Sequence, residues 1–189
     1  MLELVEGPAE VAPGAGSPAQ LTDGGTRVGS VETFEDFYRR EFPRLLVLAR
    51  ALAGDQWAED VAQDSMVVTY GHWTRIALMD SPVGYLRRIC ANKAASRTRR
   101  ASAERRALRR VVAGRGVAVE PMSADHERFW AEVRRLPRRQ AEAAALFYAL
   151  DLPIPVVAET LGCAEGTVKA HLARARTQLS KRFAVPEED

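Results

Sequence analysis

The sequence predicts an all-α chain of two small helical bundles joined by a flexible basic linker. Three observations lead there. Apolar residues recur at helical spacing from Phe34 onward and again in the C-terminal third. Hydrophobic residues make up 47% of the chain, enough for real cores, yet aromatics are only 7%, which suits helices better than strands. Between the periodic regions lies a segment that is first Arg- and Ala-rich, then carries Gly114, Gly116 and Pro121. A length of 189 residues accommodates one domain or two small ones. The expected division is a disordered tail over 1–30, a first bundle over 31–100, a linker over 101–125 and a second bundle over 126–189.

The tail is rich in Gly, Pro, Ala and Ser and shows no sustained periodicity. Thr33 then offers an N-cap, with Glu35 and Asp36 in the first turn where acids suit the helix dipole. Phe34, Phe37, Tyr38, Leu45, Leu48, Ala49 and Leu52 form the apolar stripe of this first helix. Pro43 is a place for a kink or a division, and Gly54-Asp55 ends the helix. A second helix is expected from about Trp57 to Trp73, with Val61, Met66, Val67 and Tyr70 facing the core. A loop over Thr74–Ser81 follows, and Pro82 opens a third helix at its first position. There Val83, Leu86, Ile89 and Cys90 share one face, with Arg87, Lys93, Arg97, Arg99 and Arg100 largely elsewhere. The second bundle is expected as helices near 126–135, Pro137–Leu150, Pro155–Leu161 and Thr167–Phe183.

The net charge of +2 hides an asymmetry. Residues 31–85 carry nine acidic and five basic residues, whereas 86–115 carry eleven basic residues against the single Glu104. A concentrated positive block is the footprint of a polyanion partner, and the acidic stretch before it calls for a different one. A solvated basic helix running into a linker would show the same charge. No stretch of about 18 apolar residues is present, so no membrane insertion is expected. The N-terminus, MLELVEGPAEVAPGAG, lacks the basic and apolar regions of a secretory signal. Cys90 and Cys163 lie far apart and read as reduced, which with the rest points to the cytoplasm. His72, His126 and His171 are scattered, so no metal site is expected. No phosphate loop or nucleophile elbow is present, so neither a cofactor nor enzymatic activity is expected.

The strongest local signal is PIPVVAETLGCAEGTVKAHLARARTQL, residues 153–179. A short helix carrying Val156, Val157, Ala158 and Leu161 breaks at Gly162, and a tight turn leads to Thr167, which caps or opens a longer helix. Val168, Leu172, Ala175, Leu179 and Phe183 form the expected buried stripe of that helix. Lys169, Ala170, Ala173, Arg174 and Arg176 lie outside it. This is the layout of a helix-turn-helix, in which the second helix enters the major groove by its N-terminal end. Small exposed residues permit close approach, and basic ones reach phosphates or guanine edges. An ordinary helical hairpin with a solvated basic face is the competing interpretation.

Two motifs together carry a family resemblance. GTVKAHLARARTQL resembles the recognition helix of extracytoplasmic-function (ECF) sigma factors, and LPRRQAEAAALFYALDLPIPVVAETLGC resembles the helices before it. Upstream, AEDVAQDSMVVTYGHW followed by SPVGYLRRICANKAASRTRR is similar to the promoter-melting domain of the same family. The resemblance implies a non-enzymatic subunit that directs bacterial RNA polymerase to promoters. The first bundle then corresponds to sigma domain 2 and the second to domain 4. Asp60, Gln63 and Asp64, with Val67 on the same stretch, match the face that docks on the clamp of the polymerase's largest subunit, and the flap is a second polymerase contact. Arg87, Arg88, Asn92, Lys93 and Arg97 match the segment that contacts the melted −10 element, while Arg99 and Arg100 match phosphate contacts. The loop from Arg75 to Ser81 matches the pocket for a flipped base, which must replace a few kcal/mol of lost stacking and pairing. Lys169 and Arg174 match positions that read or brace the −35 element, and Thr167 and Arg176 match backbone contacts. Ala170 and His171 stand where the family often has Ser and Arg, so base preference should differ. An anti-sigma factor is the further partner that the family implies.

The linker's 25 residues reach about 80–90 Å when extended. Elements about 17 base pairs apart lie about 58 Å apart along the duplex, so the linker spans them. Two other classes of function compete with this one. A free-standing repressor built on the helix-turn-helix leaves AEDVAQD and the basic third helix unexplained. An interaction protein that merely sequesters a partner would not need Lys169 and Arg174.

Overall fold

The computed structural model describes residues 32–108 and 124–183, with side chains over 32–100 and 125–183. The tail and residues 109–123 of the expected linker lie outside the described residues. All regular structure within them is helical. The helices are α1 (Phe34–Ala53), α2 (Asp55–Gly71), α3 (Trp73–Ile76), α4 (Pro82–Leu108), α5 (Ala124–Val133), α6 (Arg138–Ala144), α7 (Ile154–Leu161) and α8 (Glu165–Phe183). Between α6 and α7 the chain makes a π-helical turn over Ala145–Ala149.

Thr33 caps α1 as expected, its hydroxyl oxygen accepting from the Asp36 amide at 3.2 Å. Pro43 sits inside α1 on its exposed side, and the helix continues through it. Gly54 ends α1 at φ +86°, a left-handed conformation that costs glycine least. The expected loop over Thr74–Ser81 begins instead with the single turn α3, because Ile76 is fully buried and ties the chain down. The expected continuous helix over Pro137–Leu150 is split into α6 and the π turn. Beyond it Asp151 takes a positive φ and Pro153 cannot continue a helix. α4 runs on through Leu108, so the first eight positions of the expected linker are helical.

The core stripe of α2 differs from expectation. Val67 and Tyr70 are 69% and 66% exposed, whereas Ala58, Val61, Ala62, Ser65, Met66 and Thr69 are buried. Ser65 and Thr69 fit there because each hydroxyl donates to the carbonyl four residues back, at 2.6 and 2.9 Å, leaving no unsatisfied group. Phe183 also departs from its expected place in the stripe of α8. It is exposed at the helix end, while Val168, Leu172, Ala175 and Leu179 are buried as expected.

The first-bundle helices α1, α2 and α4 pack on one another, and α8 packs on α6 and α7. The two groups also meet: α4 lies against α7, and α1 against the π turn and α5. Ala141, Ala143, Ala144 and Ala145 keep this region narrow enough for close helix approach. Arg134 crosses between the groups, donating to the Arg50 carbonyl at 3.3 Å beside Gly54.

Candidate nucleic-acid interface

The acidic face lies on α2. Asp60, Gln63 and Asp64 are all exposed, at the i, i+3, i+4 spacing that puts them on one side of the helix. Gln63 donates to Glu59 at 3.0 Å, adding a third acid beyond the expected pair Asp60 and Asp64. Val67 extends this face by one turn. Beside it Phe34, Tyr38, Met66 and Tyr70 line an apolar groove of about 370 Å³ between α1 and α2. The signal for that groove was available in the sequence, since Val67 and Tyr70 exceed what the α2 core stripe needs.

Basic side chains of α4 face those acids across a polar groove of about 480 Å³. Lys93 pairs with Asp64 at 3.4 Å and Arg97 with Asp60 at 3.1 Å. The Arg97 guanidinium also lies 3.8 Å from the Trp57 ring centroid, a cation–π contact that fixes its plane. Arg100 borders the same groove, and Arg99 donates to the Ser96 hydroxyl at 3.1 Å. Lys93, Arg97 and Arg100 are thus gathered together. Arg75 stands apart on α3, exposed beside the exposed Leu78.

Of the expected DNA contacts on α4, Arg87 is buried, while Arg88 and Asn92 are exposed but engaged by neighbouring elements. Arg87 is 8% exposed, and burial lowers its pKa from the ordinary arginine value, opposed by the charge of Glu41. Arg88 reaches α7, donating to the Thr160 carbonyl at 3.1 Å and the Glu159 carbonyl at 3.4 Å. The Asn92 side-chain oxygen accepts from Arg138 of α6. These partners lie on α1, α6 and α7, and periodicity within one helix carries no information about them.

The C-terminal half forms the helix-turn-helix. At the end of α7, Gly162 adopts φ +65°, its amide donates to Glu159, and the Cys163 amide donates to Ala158 at 3.1 Å. This is a Schellman stop, which turns the chain sharply into the next helix. α8 begins at Glu165, two residues before the expected start. The Ala164 carbonyl accepts from the Thr167 and Val168 amides, so Thr167 lies within the first turn rather than at the cap. Thr167, Lys169 and Arg174 are exposed, and Ala170 and His171 are half-buried beside them. Arg176 is held from outside its helix, donating to the Tyr148 hydroxyl at 2.6 Å. No local pattern signals that tether, because its partner lies 28 positions away. Among the described residues no group of three or more His, Cys, Asp or Glu gathers as a metal site, and no helix is long and apolar enough to cross a membrane.

Residues 126–179 match the family pattern described as Sigma-70, region 4, which covers α5 through most of α8. Over 160 residues the chain is 33% identical to the ECF RNA polymerase sigma factor SigM of Mycobacterium tuberculosis, covering 81% of this chain and 78% of that one. The chain belongs to the ECF sigma factor family. Similarity extends to the RNA polymerase sigma-E factor of Streptomyces avermitilis, 29% identical over 156 residues and covering 82% and 87% of the two chains. Among solved structures, the sigma factor RpoE of Bartonella quintana, in complex with the anti-sigma factor NepR, aligns with a TM-score of 0.62 at 26% identity. That alignment covers 82% of this chain and 98% of the other. As an ECF sigma factor the protein acts with RNA polymerase in promoter-specific transcription initiation. The all-α fold and the helix-turn-helix expected from sequence are those of the family.

Proposed function

We propose that this sigma factor docks on the polymerase clamp through Asp60, Gln63, Asp64 and Val67, with the flap receiving its C-terminal half. On promoter DNA, Lys169 and Arg174 read or brace the −35 duplex from the first turns of α8. Thr167 and Arg176 hold its backbone, and Ala170 and His171 shape base preference. Arg87, Arg88, Asn92, Lys93 and Arg97 engage the melted −10 strand, with Arg75 at the flipped base and Arg99 and Arg100 on phosphates. The protein contributes binding energy rather than bond chemistry, and it works in the cytoplasm, where polymerase and DNA are. An anti-sigma factor is its natural regulator, as NepR partners the similar RpoE.

The observation that supports this reading best is the division of charge between elements. Exposed acids with an apolar groove occupy α2, and exposed bases lead the recognition helix α8. One protein surface and one nucleic-acid surface are what a polymerase specificity subunit needs. The test is to mix the protein with bacterial core polymerase and genomic DNA of its host and to sequence transcript 5′ ends. Discrete starts preceded by two shared elements are expected. Binding to polymerase without discrete starts would overturn the promoter assignment, and no binding would overturn the whole reading.

A further inference from the structure

Arg97 is held by two groups that lie one turn apart on α2. Trp57 and Asp60 stand at i, i+3 near the start of that helix, which puts them on one side of it. Arg97 of α4 spans both: its Nη2 donates to Asp60 at 3.1 Å, and its guanidinium carbon lies 3.8 Å from the Trp57 ring centroid. The Trp57 amide is fixed in turn by the Gly54 carbonyl at 3.1 Å, where α2 begins. Lys93, one turn earlier on α4, has Asp64 as its only ion-pair partner among the described residues. Two buried atoms sharpen the contrast, since Trp57 Nε1 and Arg97 Nε have no hydrogen-bond partner among the described residues. A buried indole N–H usually finds an acceptor, and leaving it without one is costly. Packing against the core would be served by phenylalanine without that cost. Tryptophan is the better ring for a cation, and a cation lies on this one. Burial of Nε closes one edge of the guanidinium. What Arg97 offers a partner is its Nη end, which Asp60 occupies.

We infer that Trp57 is a positioning residue for the −10 strand: it keeps the Arg97 guanidinium flat and end-on when polymerase draws Asp60 away. This rests on the roles proposed above for Arg97 and Asp60. The two cations of the groove then behave differently. Lys93, parted from Asp64, is a point charge on a flexible stem. Arg97 stays on the indole with its Nη end turned to the incoming nucleotide. An arginine held in this way loses less freedom on meeting a phosphate or a base edge, and the saving appears as tighter binding.

A coupling measurement in the holoenzyme tests this. Fluorescence anisotropy follows binding of a single strand carrying the −10 segment of a promoter mapped by its transcript starts. Trp57→Leu keeps an apolar side chain but removes the ring, and should weaken binding about three- to tenfold, with Trp57→Phe between it and the parent. Its salt slope should stay that of the parent because every charge remains, whereas Arg97→Met should flatten the slope by roughly 0.7. In an Arg97→Met background Trp57→Leu should cost nothing further, while in Lys93→Met it should cost the full factor. A tryptophan that only packs the first bundle would weaken binding equally in all three backgrounds. That result, or unchanged binding by Trp57→Leu alone, would overturn the inference and leave the proposed function intact. If Arg97→Met itself bound like the parent, the role proposed for Arg97 would fall, and the inference with it. Should Trp57→Leu fail to fold, Trp57→Phe carries the same cycle, and absence of coupling to Arg97 there is equally decisive against it.

Discussion

Lys169→Ala and Arg174→Ala separate the contributions proposed for α8. Both side chains are exposed, and among the described residues neither makes a salt bridge or a side-chain hydrogen bond. Removing them should leave folding stability within about 0.5 kcal/mol of the parent. The effect should therefore fall on binding alone. A side chain that only neutralises one phosphate contributes about 0.9 to the slope of log affinity against log salt. One that also pairs with a base edge contributes about 1–3 kcal/mol of discrimination, a factor of roughly 5 to 150. The assay is fluorescence anisotropy of holoenzyme on a mapped promoter, titrated over salt, with each −35 base pair changed in turn. A variant that flattens the salt slope equally on all sequences has lost a phosphate contact. A variant that loses discrimination at one position has lost base reading. If both variants bound every duplex like the parent at all salt concentrations, the placing of DNA on this face of α8 would be refuted.

Four further outcomes follow from individual contacts. Tyr148→Phe removes the hydroxyl that holds Arg176 and should weaken promoter binding severalfold while leaving the salt slope unchanged, because the charge remains. A flatter slope would show that the tyrosine acts otherwise. Gly162→Ala places a Cβ at φ +65° and should destabilise the fold by about 1 kcal/mol in denaturant titration; no loss would contradict the left-handed stop. Burial pushes the Cys90 thiol up to about 12 from an ordinary 9.0, partly offset by its hydrogen bond with Ser65. The unfolded thiol then loses its proton first, so stability should fall as pH rises above about 9. A thiol reagent should label Cys163 quickly and Cys90 only on unfolding; comparable rates would refute that burial.

Most of the helical framework was legible because its signals are local. Thr33 caps α1 through a bond to a residue three positions on, and Gly162 stops α7 by a backbone angle that other residues avoid. The errors arose where two elements decide together. Apolarity alone places Val67 and Tyr70 in the core, yet Ser65 and Thr69 hold those places. Their hydroxyls are satisfied within α2 itself, so polarity was no bar to burial, and helix phase outweighed hydrophobicity. The candidate site shows the same division. Asp60, Gln63 and Asp64 share a face because the i, i+3, i+4 spacing of one helix puts them there. That Arg88 ends on α7, or that Arg176 meets Tyr148, depends on residues 72 and 28 positions distant. No periodicity reports such a distance.

The basic block also reads differently once its partners are known. Eleven basic residues over 86–115 suggested a uniform polyanion footprint. In the described part, however, four of the positive groups are answered from within the protein: Arg87 by Glu41, Arg88 by α7 carbonyls, Lys93 by Asp64 and Arg97 by Asp60. Two of those answering groups, Asp60 and Asp64, belong to the proposed polymerase face. Any cation that polymerase brings to these carboxylates competes with Lys93 and Arg97 for them. Both pairs are solvent-accessible, worth about 0–1 kcal/mol each, so exchange costs little. If polymerase docks on α2 as proposed, positive charge on α4 is released towards the proposed DNA face, without any change of fold. Weak pairs serve this purpose better than strong ones, since a buried bridge would hold Lys93 and Arg97 even in the holoenzyme. Asp60→Asn with Asp64→Asn should then weaken core polymerase binding yet strengthen the free chain's attraction to DNA. Sequence-independent electrostatics alone would produce the second effect but not the first.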